Sequence, residues 1–177
     1  MNVSLDGFAD HTVAIADDEL HEFASGILDN LDMVIFGRVT YQLMESYWPH
    51  AHEDTEATGS ILEFADKFNA ISKIVFSRTL QQVEWNNTQL NRGNAIEEVM
   101  KLKQQPGGNI SIGGISICQD FMRHGLIDEY WLLVQPVIAG KGRHLFDGWS
   151  EEGSLQLADT RTFKSGVVVL HYLWQKG

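Results

Sequence analysis

Three short stretches carry residue types suited to gripping anionic oxygens: Gly37-Arg38-Val39-Thr40, Ser77-Arg78-Thr79 and Gly113-Gly114-Ile115-Ser116. Glycine lets a backbone approach a ligand closely, a hydroxyl adds a single hydrogen bond, and a guanidinium meets phosphate with two parallel donors. Each stretch follows a run that reads as a strand: Met33 to Phe36, Lys73 to Ser77, and Asn109 to Ile112. In open α/β sheets, ligands collect outside the carboxyl ends of the strands. Gly113-Gly114 also opens a helical pattern, whose first N–H groups and dipole end suit a pyrophosphate. A single glycine after a strand marks a tight turn. The recurrence of such stretches in three consecutive strand–helix units points to a ligand.

Other chemistries find less support. Gly108 to Gly113 has phosphate-loop spacing, but Gly114 stands where the lysine belongs, and no G-x-G-x-x-G follows the first strand. His50, His52, Glu53 and Asp54 imitate a metal site, yet no helical spacing fixes them, so they read as an acidic surface loop and no metal is expected. His11, His21, His124, His144 and His171 are scattered. Cys118 falls on an apolar helix face and reads as core rather than as a nucleophile. A formal charge of -11 makes nucleic acid and anionic membranes poor partners, so an anionic cofactor must meet a local cluster of donors. One cysteine allows no intrachain disulfide. With no secretory pattern at the start and no apolar run near the ~20 residues of a membrane span, a cytoplasmic protein is expected.

The elements that must hold these stretches follow from periodicity. Asn2 to Leu5 reads as a strand broken at Asp6-Gly7. Leu20, Phe23, Ala24, Ile27, Leu28 and Leu31 have helical spacing behind a possible Asp17 cap. Thr40 to Ser46 reads as a short helix, residues 50–59 as a loop, and Ile61 to Phe68 as a helix. Val83-Glu84-Trp85 reads as a short strand. Asn94 and Glu97 form a capping box for a helix to Lys103, with Ile96, Val99 and Met100 inward. Ile115, Cys118, Phe121 and Met122 make the inner face of a helix stopped at Gly125. Then Glu129 to Val137, Leu155 to Phe163 and Gly166 to Trp174 are strands separated by turns. Helix-linked strands should run parallel and the closing hairpin antiparallel. The expectation is a single α/β domain over residues 1–177, a three-layer sandwich with a mixed sheet of seven or eight strands.

In this order the residues resemble the dihydrofolate reductase superfamily, and most closely the reductase domain of the bifunctional riboflavin-biosynthesis deaminase–reductase. The resemblance rests on Ser4 to Phe8, Phe36 to Tyr41, Phe76-Ser77-Arg78, Gly113-Gly114, and Pro136 to Gly142 followed by Leu145-Phe146. It implies that Gly37, Arg38 and Thr40 hold cofactor phosphates. Ser77 and Arg78 would meet an adenosine 2′-phosphate, favouring NADPH over NADH. Gly113-Gly114, often joined by a cis peptide in the family, would lie under the pyrophosphate with Ile115 and Ser116 opening the next helix. Asp6 to Ala9 would lie beside the nicotinamide and the substrate. Dihydrofolate reductases carry a carboxylate on their first helix, for which Glu19 is the best match, although Asp17 and Asp18 beside it also suit a cap.

The resemblance thus implies an NADPH-dependent reductase of a pyrimidine or pteridine, first a 5-amino-6-(5-phosphoribosylamino)uracil reductase and second a dihydrofolate reductase. A nucleotide-binding regulatory protein without turnover is the alternative of another class. Asp6 and Glu19 are the candidate proton sources if burial raises a carboxyl toward neutrality, while Asp6-Gly7 also fits a plain turn. A homodimer is expected from the aromatic, strand-rich C-terminal part.

Overall fold

The computed structural model describes residues 1–9, 12, 14–149 and 152–175. His11 therefore lies outside the described residues. The chain divides into two compact units, one of Asp18–Ile117 and one of Met1–Asp17 with Cys118–Gly177. Together they form a mixed α/β structure, as expected. Among the described residues eight strands hydrogen-bond as two four-stranded sheets, whereas a single mixed sheet was expected. Among the described residues no helix is long and apolar enough to cross a membrane.

In Asp18–Ile117 the order is α1 (Asp18–Leu28), β2 (Leu31–Gly37), α2 (Arg38–Glu45), a 3-10 turn (Trp48–Glu53), α3 (Gly59–Ala70), β3 (Ser72–Phe76), β4 (Thr88–Asn91), α4 (Ala95–Leu102) and β5 (Asn109–Gly113). The sheet order is β4-β3-β2-β5 and every pair is parallel. That arrangement buries the middle of a strand on both faces, and Val34, Ile35 and Phe36 of β2 are buried accordingly. Phe36, Tyr41, Phe68, Val75 and Trp85 close the core. Residues 50–53, expected in a loop, continue the 3-10 turn begun at Trp48 and Pro49, since proline suits a helical first turn. Asn94 caps α4 as expected, its Oδ1 accepting from Ile96 N at 2.9 Å. Met100 is exposed rather than inward.

Val83 to Trp85 is not a strand. The N–H groups of Glu84 and Trp85 donate instead to Tyr41 Oη and Glu45 Oε1 of α2, at 3.2–3.3 Å. Trp85 is nonetheless core, with Nε1 donating to Asn69 Oδ1 at 2.6 Å. The strand lies just beyond it, at the polar Thr88–Asn91. In β3, Lys73 is fully buried, donating to the carbonyls of Asn69, Ile71 and Asn86 and sitting 4.4 Å from the Trp85 ring centroid. Burial pulls its pKa down to about 8.

The other unit contains β1 (Asn2–Ser4), β6 (Glu129–Gln135), β7 (Leu155–Thr162) and β8 (Val168–Trp174), ordered β1-β6-β8-β7. β1 pairs parallel with β6, and β8 is antiparallel to both β6 and β7, which gives the expected closing hairpin. α5 (Ile115–Arg123) ends in a left-handed Gly125, with Leu126 N donating to Phe121 O and Gly125 N to Met122 O. Cys118 on α5 is buried, and burial pushes its thiol up to about 11, so it is no nucleophile at neutral pH.

Candidate functional site

Because β4, β3, β2 and β5 are parallel neighbours, their carboxyl ends form one continuous edge. Register keeps these ends level: Phe76 pairs with both Gly37 and Asn91, and Phe36 pairs with Gly113. The three stretches picked out in the sequence therefore leave the sheet side by side. Three inter-strand steps span about 15 Å, room for an elongated ligand.

Gly37 is the extended N-cap of α2 and makes no side-chain cap, so the first-turn N–H groups stay open to a ligand. Arg38 opens the helix exposed, its Nη1 donating to Gln42 Oε1 at 2.9 Å. Gly113 and Gly114 have a steric reason for being glycine. A Cβ on Gly113 would stand 2.8 Å from the Phe36 ring, and one on Gly114 2.8 Å from Thr40 Oγ1. Gly114 also holds φ at 118°, a left-handed conformation. The peptide joining them is trans, where the resemblance carries a cis bond. Ile115 and Ser116 form the first turn of α5, Ile115 half-buried and Ser116 exposed.

After β3, Ser77 Oγ accepts from Thr79 N at 3.2 Å and Leu80 N at 3.0 Å, fixing the turn. Arg78 is exposed and engages no hydrogen-bond or ion-pair partner among the described residues. Sequence reasoning missed Arg92, because it follows the strand that was not foreseen. Its Nη2 donates to Gln81 O at 2.9 Å, tying it to the loop that begins Ser77-Arg78. The available signal was Arg92-Gly93 ahead of the capped helix at Asn94. Three of the six arginines in a chain of charge -11 thus stand directly after β2, β3 and β4. Such a concentration makes a local attractor for phosphate.

The two carboxyl candidates fall in different compact units. Glu19 is half-buried in the first turn of α1. Asp6 requires a correction. Its Oδ1 accepts from Ser4 Oγ at 2.6 Å and Ala139 N at 3.0 Å, and its Oδ2 from Gly140 N at 2.8 Å. The Ser4 hydroxyl first, then these N–H groups, hold its pKa down at about 2. An acid so anchored is ionised at neutral pH and does not supply a proton; it clamps the loop after β6 to the loop after β1. A depressed pKa gives stability that is present above the ordinary value of 3.8 and lost as pH falls toward 2. Protection of the Ala139 and Gly140 amides, taken relative to the intrinsic exchange rate at each pH, should be high at pH 5 and fall through that acid window. In Asp6→Asn that protection should already be low at pH 5; unchanged protection would show that the clamp is unimportant.

Elsewhere in that unit, Tyr130, Phe146, Trp149, Gly153, Leu155 and Trp174 line a cavity of about 240 Å³ with no charged side chain. Among the described residues no cluster of three or more His, Cys, Asp or Glu could hold a metal. His50 pairs with Glu53 and His52 with Asp66, at the surface.

Comparison with known proteins fits this arrangement. The chain is 34% identical over 176 residues to the uncharacterized protein YyaP of Bacillus subtilis, covering 97% of this chain and 91% of that one. Its structure is similar to Acinetobacter baumannii RibD, with TM-score 0.71 and 14% identity over 99% of this chain and 57% of the other. It is also similar to a Thermotoga maritima diaminohydroxyphosphoribosylaminopyrimidine deaminase/5-amino-6-(5-phosphoribosylamino)uracil reductase, with TM-score 0.63 and 14% identity over 98% of this chain and 55% of that one. At such identities these two show the fold alone. The RibD C-terminal domain model matches residues 1–169, spanning the glycine pairs, the arginine edge and the Asp6 clamp, and the chain belongs to that family.

Proposed function

We propose that this protein is a reductase that binds NADPH along the carboxyl edge of β4, β3, β2 and β5 and acts on a pyrimidine-type substrate. The preferred substrate is 5-amino-6-(5-phosphoribosylamino)uracil, the compound in the name of the Thermotoga relative. The observation that carries the reading is the row Arg38, Arg78 and Arg92 on adjacent strand ends, beside two glycines that sterically exclude side chains.

The donor set fits the cofactor. The open N–H groups of α2, with Thr40 and the start of α5, would hold the pyrophosphate; Ser77, Arg78 and Arg92 would hold the ribose phosphate. Ser77 Oγ already accepts two backbone N–H groups and donates to no described residue, so its proton is available to a phosphate oxygen. When bound, the nicotinamide supplies hydride. What the chain itself contributes is orientation and charge neutralisation, set by side chains fixed on rigid strand ends. The ionised Asp6 leaves the substrate's proton to another group or to water.

Titrations with NADPH and NADH, followed by turnover on the aminouracil ribotide and on dihydrofolate, test this. NADPH should bind at least about tenfold more tightly than NADH, and the aminouracil should be reduced. Failure of both cofactors to bind at millimolar concentration would refute the site. Tight NADPH binding with no turnover on either substrate would favour a nucleotide-binding protein that has lost catalysis.

A further inference from the structure

The sheet β1-β6-β8-β7 has a second end, away from the loops that follow β1 and β6. Tyr130 stands near the start of β6, Leu155 opens β7 and Trp174 closes β8. Register gathers them at one end: Tyr130 pairs with Tyr172, and Leu155 with Trp174. Along β6 this end lies about 17 Å from Gln135, where the strand finishes. The chain after β6 returns here, and Phe146 and Trp149 complete the walls of the 240 Å³ cavity.

These walls are aromatic and braced against one another. Trp149 meets the Trp174 ring edge-on at 5.6 Å, and Tyr130 lies 5.9 Å from Phe146 and 6.4 Å from Trp174. A Cβ on Gly153 would collide with the Trp174 ring, so backbone supports that indole directly. Rings spaced this way offer faces and edges to a further aromatic ring. A cavity of roughly 150 Å³ holds benzene, so 240 Å³ has room for two fused rings. Tyr130 is only 8% exposed, yet its hydroxyl meets no described residue. Burial pushes its pKa up to about 12, so the group stays protonated and donates. A buried hydroxyl calls for an acceptor. Among the described lining residues none is charged, so an ionised ligand finds no counter-charge there.

We propose that this cavity is a binding site for a neutral two-ring aromatic molecule, seated among Phe146, Trp149 and Trp174 with a ring acceptor facing the Tyr130 hydroxyl. It shares no residue with the strand ends assigned to NADPH and does not rest on the reductase reading. The two therefore fail separately.

Quinoline and naphthalene are the probes: the same two fused rings, with and without an acceptor nitrogen. Titrated into the full chain at neutral pH and followed by NMR, quinoline should shift the Trp149 and Trp174 indole N–H signals together. One dissociation constant, below about 1 mM, should describe both. The Trp48 and Trp85 signals, from the other compact unit, should stay in place. Tyr130→Phe should weaken quinoline about fivefold, the size of one neutral hydrogen bond, and leave naphthalene within about twofold of its original affinity. Leu155→Trp, which fills the space, should abolish binding of both probes. The absence of shifts at millimolar quinoline in the parent protein overturns the proposal, whatever the variants do. So do shifts that include Trp48 and Trp85, which would mean nonspecific partition. Signals that follow protein concentration instead of ligand overturn it too, since a second copy would then cover the cavity. An unchanged quinoline affinity in Tyr130→Phe has the same force.

Discussion

Gly114→Ala is expected to lower the unfolding free energy by about 3 kcal/mol and to abolish measurable NADPH binding. Two costs combine. A side chain at φ of 118° is strained by about 1–3 kcal/mol, and the added methyl would stand 2.8 Å from Thr40 Oγ1, an overpacking that costs about 1–3 kcal/mol. Relief would require moving α2 or the start of α5, and both moves displace the N–H groups assigned to the pyrophosphate. Gly113→Ala should be comparably damaging, because the methyl would meet the Phe36 ring, which is buried in the core and cannot swing away. Gly26 is the control. It lies in α1 with nothing within 4 Å of a built Cβ, so Gly26→Ala should add about 0.5–1 kcal/mol through helix propensity alone. Urea unfolding of the three variants reads all of this; a Gly114→Ala protein as stable as the parent would contradict the steric account.

Arg78→Ala should weaken NADPH by about 10–100-fold while changing NADH less than about threefold, and Arg92→Ala should act in the same direction with a smaller loss. The difference between the two cofactors is one phosphate monoester, so only groups that meet it can produce that split. Arg78 has no partner to satisfy among the described residues, whereas Arg92 already donates to Gln81 O and has fewer donors to offer. If both arginines meet the same phosphate, the double variant should lose less than the product of the single losses, because the remaining partner adjusts. The salt dependence of NADPH binding should also flatten, since fewer fixed charges attract the ligand. Equal weakening of NADPH and NADH would place the 2′-phosphate elsewhere.

The continuous apolar run Val34 to Phe36 announced a strand buried on both faces, because only a parallel strand covered above and below tolerates it. The Asn94 cap and the Gly125 stop were equally plain, since each depends on the preference of one residue for one local conformation. The glycine and arginine stretches at three strand ends were visible for the same reason. Whether those ends were neighbours was not visible: that follows from the strand order β4-β3-β2-β5, which pairing across the sheet establishes.

Other features arose only on folding. Thr88–Asn91 has no apolar pattern, and it is a strand because β3 offers it a ladder; with it came Arg92. Val83 to Trp85 has the pattern of a strand, but side chains of α2 take two of its N–H groups. A lysine in a strand reads as surface, yet Lys73 is buried because three carbonyls converge on its ammonium. Asp6 shows the division most clearly. Its residue type permits an acid, a turn or a clamp, and the choice is made by N–H groups of Ala139 and Gly140, far away along the chain. Local conformational preference and hydrophobic period are properties of neighbouring residues and can be read in order. Protonation state, burial of a charge and the meeting of strand ends depend on groups brought together from distant segments, and those belong to the tertiary structure.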